Sequence, residues 1–185
     1  MQLTPIMERY VLHWGEMGTR WGVNRSVAQI HALLYLSPVP LTAEEISETL
    51  SLARSNVSTS LKELQSWNLV EVAHALGDRR DHFASRHDTW EMLFTIVEGR
   101  KRREIDPTLS MLRQCVMEGE TDKATDPQVK ARIEAMLRFL EDLSGWYEQV
   151  KRLPTPTLIA LMKMGGKVAR LASPIKKNKK KKAKA

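Results

Sequence analysis

The sequence predicts a mainly helical protein that carries one small β-hairpin. Apolar residues recur at helical spacing over most of the 185 residues, of which 42% are hydrophobic, enough to form a core. Residues 69–73 form a short β-branched run, and the Gly77-Asp78 turn signal is followed by a return strand that begins at Phe83. We therefore expect helices to supply the core and the hairpin to pack against them.

The first half of the chain predicts four helices. Two span residues 6–21 and 25–36, and Asn24 caps the second. The prolines of "SPVPLT" end it, and the capping box "TAEE", which starts at Thr42, begins a third helix. After the turn "SLA", a fourth helix runs to about Trp67.

The second half of the chain is helical after the hairpin. Capping residues predict helix starts near Asp88, Asp106 and Asp126, the last two followed by proline. The stretch 127–151 has a broad apolar stripe, and a short helix is expected over about 157–172.

The net charge of +7 is concentrated at the end of the sequence. Seven lysines follow Pro174 without an acid, and the rest of the chain has 22 basic and 22 acidic residues. The neutral body argues against binding of polyanions over the whole surface, but it permits a local basic patch.

The fourth helix has an unusual outward face. At 100° per residue, Val57, Leu61 and Leu64 face the core. The other side has short polar or basic residues and no acid between residues 54 and 62; its members are Arg54, Ser55, Asn56, Ser58, Thr59 and Lys62.

This face has the chemistry of a DNA-reading helix. Asn56 could pair with adenine, the Thr59 methyl could contact thymine, and Arg54 could reach guanine or a phosphate. Lys62 is better placed for a phosphate, and the helix N-terminus suits an anion. The plain alternative is a polar face that contacts only water.

The hairpin supports the DNA interpretation. Its tip has Arg79 and Arg80, flanked by Asp78 and Asp81, where a wing could enter a narrow minor groove. Helix, turn, polar helix and hairpin follow the order of a winged helix–turn–helix. We expect the chain to have four parts. They are N-terminal helices for dimerisation and core support (1–40), the winged helix–turn–helix (41–87), a C-terminal helical dimerisation or effector region (88–172) and a disordered lysine-rich tail (173–185).

The segment "PLTAEEISETLSLARSNVSTSLKELQSWNLVEV", followed by "GDRRDHF", resembles the MarR-type winged-helix regulators. The upstream "GEMGTRWGVNRSVAQIHALLYLSPVPLT" is similar to the GbsR-like branch, and the resemblance covers roughly residues 10–100. It implies a homodimeric transcriptional regulator, usually a repressor, in the bacterial or archaeal cytoplasm and associated with the nucleoid.

The resemblance also implies site residues. DNA reading falls on Arg54, Ser55, Asn56, Ser58 and Thr59, phosphate contact on Thr42 and Lys62, and wing contact on Arg79 and Arg80. Members of the family often cap the recognition helix with Ser or Thr where this chain has Ala53, so Ser51 or Ser55 could replace that cap. The lysine tail is not part of the family pattern.

The flanking helices have two interpretations. Their wide apolar stripes favour a homodimer, and the alternative is a helical bundle within one chain. Trp14, Trp21 and Trp90 could form an aromatic box for a quaternary ammonium effector of the kind that GbsR-like proteins sense. Tryptophans at helical spacing are more often core residues.

Other chemistry has little support. The histidines and aspartates of the hairpin match no standard metal spacing, and Cys115 has no cluster of basic residues around it in the sequence that would lower the pKa of its thiol. No cofactor is expected, and no phosphate loop, nucleophile elbow or paired carboxylates indicate an enzyme. The first ten residues lack the apolar core of a signal peptide, and no run is long enough to span a membrane. The rival hypothesis to a DNA-binding regulator is a winged-helix protein-interaction module without specific DNA binding.

Overall fold

The computed structural model describes residues 1–74 and 76–172. It contains two compact units, Met1–Asp106 (unit 1) and Pro107–Ala185 (unit 2). The predicted parts 1–40 and 41–87 fall in unit 1, and the predicted lysine tail lies outside the described residues. The elements in chain order are α1 (Pro5–Arg20), α2 (Arg25–Leu36), β1 (Leu41–Thr42), α3 (Ala43–Leu50), α4 (Arg54–Ser66), β2 (Val70–Ala73), β3 (His82–Ser85), α5 (Thr89–Arg100), a π-helical turn (Lys101–Ile105), α6 (Asp106–Thr121), α7 (Pro127–Lys151) and α8 (Thr155–Ala172).

The predicted fold class, mainly α with a small β wing, is confirmed. The first four predicted helices appear within one residue of their expected bounds, because each begins at a strong local signal. Thr4 caps α1 ahead of a proline, and Asn24 caps α2 through a bond from the Ser26 backbone N–H to its side chain. Thr42 and Glu45 form the predicted capping box of α3.

The core of unit 1 is built on α2. Ile30, Leu33 and Leu34 are fully buried, and they form one apolar cluster with Val57 and Leu64 of α4. Leu41 and Phe83 of the sheet belong to the same cluster. The winged region therefore shares one core with the helices that precede it.

The sheet has three strands where the sequence predicted two. β3 lies in the centre, pairs antiparallel with β2 through the hairpin and pairs antiparallel with β1 on its other side. Leu41 lies opposite Phe83, and Thr42 lies opposite His82. The third strand ties the start of α3 to the wing.

The first helix buries few side chains. Val11 and Gly15 are its buried residues, whereas Ile6 and the C-terminal cap Trp21 are 77% and 57% exposed. α2 approaches α1 closely at the glycines. An added Cβ at Gly18 would lie 2.4 Å from the Ala28 Cβ, so α1 packs through its small residues.

The helix α6 starts at Asp106 as the sequence predicts, but no loop precedes it. Asp106 has helical backbone angles, and the π-helical turn Lys101–Ile105 leads directly into α6. Pro107 has no N–H to donate and its ring crowds the preceding turn. A wide π turn at this point relieves that crowding.

Unit 2 contains α7, α8 and nearly all of α6. Its buried apolar side chains, Leu109, Leu112, Leu137 and Leu158, come from all three helices. In the described part of the chain, no helix has the length and apolar character needed to cross a membrane.

The α1–α2 contact predicts a stability defect at Gly18. Gly18→Ala should lower the free energy of unfolding by roughly 1–3 kcal/mol, because its methyl group would overlap that of Ala28. The control is Gly145→Ala in α7, where an added Cβ meets nothing within 4 Å. That change should stabilise the helix by up to about 1 kcal/mol. Urea unfolding measures both, and a Gly18→Ala protein as stable as the parent contradicts the packing.

Candidate nucleic-acid interface

The outward face of α4 is exposed as the residue pattern predicts. Val57, Leu61 and Leu64 point into the core, at 0%, 2% and 1% exposure. On the other side, the exposed residues of the predicted reading face are Arg54, Ser55, Ser58, Thr59 and Lys62. Short side chains keep the helix surface slim, which suits entry into a major groove.

The N-terminus of α4 has free backbone donors. Ala53 is the N-cap residue, and no side chain caps the helix, so neither Ser51 nor Ser55 replaces the missing cap. Ser51 instead ends α3 in the left-handed conformation at φ 52°. The uncapped N–H groups of the first turn and the helix dipole favour an anion such as a phosphate.

Asn56 lies at the edge of this face and is already hydrogen-bonded. It is half-buried, its Nδ2 donates to Ser26 Oγ of α2 at 2.9 Å, and its Oδ1 accepts from Ser60 Oγ at 3.4 Å. The predicted contact with adenine would require the amide to leave Ser26. In the structure, Asn56 joins α4 to α2.

Thr42 is likewise engaged inside the protein. It is 2% exposed, and Glu45 Oε2 accepts from both its backbone N–H at 2.7 Å and its hydroxyl at 2.8 Å. These bonds, led by that from the backbone N–H, lower the pKa of Glu45. A phosphate would have to displace Glu45 to reach the Thr42 hydroxyl.

The hairpin tip presents two arginines in different states. Gly77 takes φ 84°, and Arg80 then folds back on Asp78, with Nε–Oδ1 and Nη2–Oδ2 distances of 3.0 and 2.6 Å. This pairing holds the pKa of Asp78 well below its usual range and raises that of Arg80. Arg79 is exposed, and within the described residues it has no ion-pair partner.

A carboxylate missed by the sequence reasoning stands between the two arginine sites. Glu44 of α3 contacts Arg54 Nη2 through Oε1, and its Oε2 lies 3.5 Å from Arg80 Nη1. The capping-box spacing placed Glu44 in the first turn of α3. It gave no indication that the hairpin folds back to the same point.

A second feature of unit 1 is an apolar cavity of about 230 Å³ between its helices. The predicted ligand residues Trp14 and Trp21 line it, but Trp90 is not among the lining residues. The ring of Trp90 instead lies beside that of Phe94, with 6.2 Å between the ring centroids. The third tryptophan of the cavity is Trp67, at the end of α4.

Three further residues give the cavity its polarity. Arg100 and Arg103 line it, and Arg103 lies 5.0 Å above the Trp67 ring. His31 is buried in its wall, its Nε2 has no hydrogen-bond partner within the described protein, and burial lowers its pKa to about 4. Its imidazole is therefore neutral at physiological pH. In the described residues, no group of three or more His, Cys, Asp or Glu side chains could hold a metal ion.

Comparison with known proteins identifies relatives of this chain. The sequence model of the MarR family matches residues 21–81. The chain is 22% identical over 136 residues to the HTH-type transcriptional repressor GbsR of Bacillus subtilis (strain 168), across 72% of this chain and 75% of that protein. It is 18% identical over 136 residues to the HTH-type transcriptional repressor OpcR of the same organism, across 72% and 74%.

A solved structure supports the fold. The crystal structure of a transcriptional regulator matches with a TM-score of 0.58 at 19% identity, across 78% of this chain and 99% of that chain. The segment matched by the family model begins just ahead of α2 and reaches the hairpin tip, so it contains α4 and both tip arginines.

The Asn56–Ser26 bond predicts energetic coupling between α4 and α2. Asn56→Ala and Ser26→Ala should each lower the free energy of unfolding by about 1 kcal/mol, and the double variant should lose less than the two losses combined. Ser55→Ala, next in the chain and exposed, is the control and should change stability by less than about 0.5 kcal/mol. Strictly additive losses in urea unfolding would mean that the bond contributes nothing to the fold.

Proposed function

We propose that the chain is a DNA-binding transcriptional regulator of the MarR family, whose model matches residues 21–81, and that it acts as a repressor that binds a pseudo-palindromic operator as a homodimer. The observation that carries this proposal is the outward face of α4. It is exposed, it has no acid from residue 54 to 62, and the hairpin arginines share its unit. A protein-interaction module would more often expose apolar or aromatic side chains at such a face.

The proposed contacts follow the exposed positions. Ser55, Ser58 and Thr59 are short enough to meet base edges in the major groove, and Arg54 reaches guanine or a phosphate from the first turn. Lys62 pairs with a phosphate further along the helix. Arg79 and Arg80 lie in the adjacent minor groove as a wing.

Two predicted contacts take a supporting role in this proposal. The hydrogen bond from Asn56 to Ser26 fixes the rotation of α4. Asn56 can contact adenine only if it gives up this bond for one to the base. Thr42 fixes the start of α3 through Glu45. Both side chains set the geometry from which the exposed residues act.

The sign of regulation is proposed from the relatives. GbsR and OpcR are both named transcriptional repressors. A bound dimer and a polymerase cannot occupy the same groove of one promoter, so occupancy of an overlapping operator is sufficient for repression.

The proposed dimer interface lies on α7. Its exposed apolar residues are spaced by three, four or seven positions and form one stripe, with exposures of 43–60%: Val129, Met136, Phe139, Leu143 and Trp146. Exposed apolar stripes of this spacing favour a second helix as a partner. The alternative remains a stripe that another part of the same chain covers.

Selection from random DNA duplexes tests the function. The full chain, with competitor DNA present to suppress binding by the lysine tail, should enrich a palindrome whose half-sites are about one helical turn apart. Light scattering of the complex should give two chains per duplex. A pool without an enriched motif would favour the protein-interaction alternative.

A matched pair of α7 variants separates dimerisation from folding. Phe139→Glu introduces a charge into the stripe, whereas Ala131→Glu introduces it on an exposed position off the stripe. The first should dissociate the dimer and weaken operator binding, and the second should do neither. If the Phe139→Glu protein is still a dimer, the stripe of α7 is not the dimer interface.

We also propose a quaternary ammonium effector for the cavity of unit 1. The rings of Trp14, Trp21 and Trp67 suit a trimethylammonium group. Arg100 and Arg103 disfavour a ligand that carries only a positive charge. Glu104 pairs with Arg100 at 3.4 Å, but neither it nor any other acid is among the described lining residues. A zwitterion such as glycine betaine satisfies both features, because its carboxylate can face the arginines.

Calorimetry with the full chain tests this effector. Glycine betaine should bind more tightly than choline, and Trp67→Leu should weaken binding by about tenfold through loss of a cation–π contact. Trp90→Leu is the control, because Trp90 does not line the cavity. If neither ligand gives a heat of binding at millimolar concentration, the cavity does not bind a quaternary ammonium effector. If choline binds more tightly than glycine betaine, the arginines do not take part in ligand recognition.

A further inference from the structure

One carboxylate links the recognition helix to the wing. Glu44 lies in the first turn of α3, and its two oxygens face arginines from two other elements. Oε1 contacts Arg54 Nη2 at the start of α4, and Oε2 lies 3.5 Å from Arg80 Nη1 at the hairpin tip. Both arginines are largely exposed, with side-chain exposures of 68% and 57%, so they remain accessible to DNA while they are paired.

The pairing continues to a second carboxylate. Arg80 also binds Asp78 through Nε and Nη2, and the Arg80 backbone N–H donates to the same carboxylate at 3.0 Å. Arg54, Glu44, Arg80 and Asp78 therefore form a row of alternating charges with no net charge. Because Arg54 is itself an exposed residue of the α4 face, the row starts on that face.

Such a row affects two kinds of DNA binding differently. Binding to unrelated sequences depends on the number of cations that neutralise phosphates, and each paired arginine contributes less to it. A carboxylate near the backbone also repels the phosphates. Recognition of a base edge depends on the direction of the guanidinium group, which a carboxylate partner can hold in place.

We propose that Glu44 is a specificity-determining residue that orients Arg54 and Arg80 and opposes binding to unrelated DNA. This inference rests on the proposed function, because it assumes that both arginines face DNA. It adds an acidic residue, outside α4 and the hairpin, to the determinants of operator choice.

The test compares affinities of the full chain for the selected operator and for an unrelated duplex of equal length. Glu44→Gln should raise affinity for the unrelated duplex by about threefold or more and steepen the salt dependence of that binding. Affinity for the operator should rise less, because the loss of arginine orientation offsets the gain from the removed negative charge. The matched control is Glu48→Gln, which removes the same charge from an exposed position one turn along α3 and should leave the ratio of affinities unchanged.

A second variant separates orientation from charge. Glu44→Asp keeps the negative charge but is one methylene too short to reach both arginines. It should weaken operator binding while leaving affinity for the unrelated duplex near that of the parent. Thermal unfolding of each variant verifies that the protein is folded.

The outcomes distinguish this inference from the proposed function. An unchanged ratio in Glu44→Gln, or the same change in Glu48→Gln, overturns the role of Glu44 while operator binding stands. If Arg54→Ala and Arg80→Ala alter affinity for neither duplex, the assignment of these arginines to DNA fails, and the role of Glu44 fails with it.

Discussion

The packing of α4 against α2 is the constraint on which the rest of unit 1 depends. Val57 and Leu64 are buried against the core that Ile30 anchors, and this fixes the rotation of α4 about its axis. The Asn56–Ser26 hydrogen bond holds the same rotation from the polar side. Because buried and exposed positions alternate at helical spacing, burial of these apolar residues determines which hydroxyl and basic side chains face outward.

The charge pattern of the chain agrees with DNA contact through a small part of its surface, as proposed. Outside its lysine tail the protein is neutral, and two of its candidate DNA-facing arginines are paired with Glu44 and Asp78. Long-range attraction to phosphates is therefore weak at the described surface. Under the proposed function, preference for one DNA sequence comes from short-range contacts in the groove, and those contacts require the fixed rotation of α4.

Local signals predicted most of the fold, and contacts between distant residues account for what was missed. Capping residues and apolar spacing act within a few positions, so the bounds of α2 and α3 could be predicted from the sequence alone. β1 was missed because two residues carry no strand pattern, and its pairing with β3 spans about forty positions. The candidate sites also divide into features set by local sequence and features set by contacts between distant residues. Exposure of Ser55, Thr59 and Lys62 follows from periodicity, whereas the contacts of Glu44, the Ser26 partner of Asn56 and the place of Trp67 in the cavity depend on tertiary packing.

The position of α4 also connects the two proposed sites. Its thirteen residues form a rigid rod of about 20 Å, with Arg54 at the first turn. Leu64, in its last turn, and Trp67, its C-terminal cap, line the cavity. Under the proposed function, a ligand that displaces Trp67 must either break the packing of Leu64 or move the whole helix, because closely packed cores do not deform continuously. Movement of the helix would carry Arg54 away from Glu44 and from the groove at the same time. Effector binding and DNA binding would then be coupled through α4, and no residue would need to contact both the effector and the DNA.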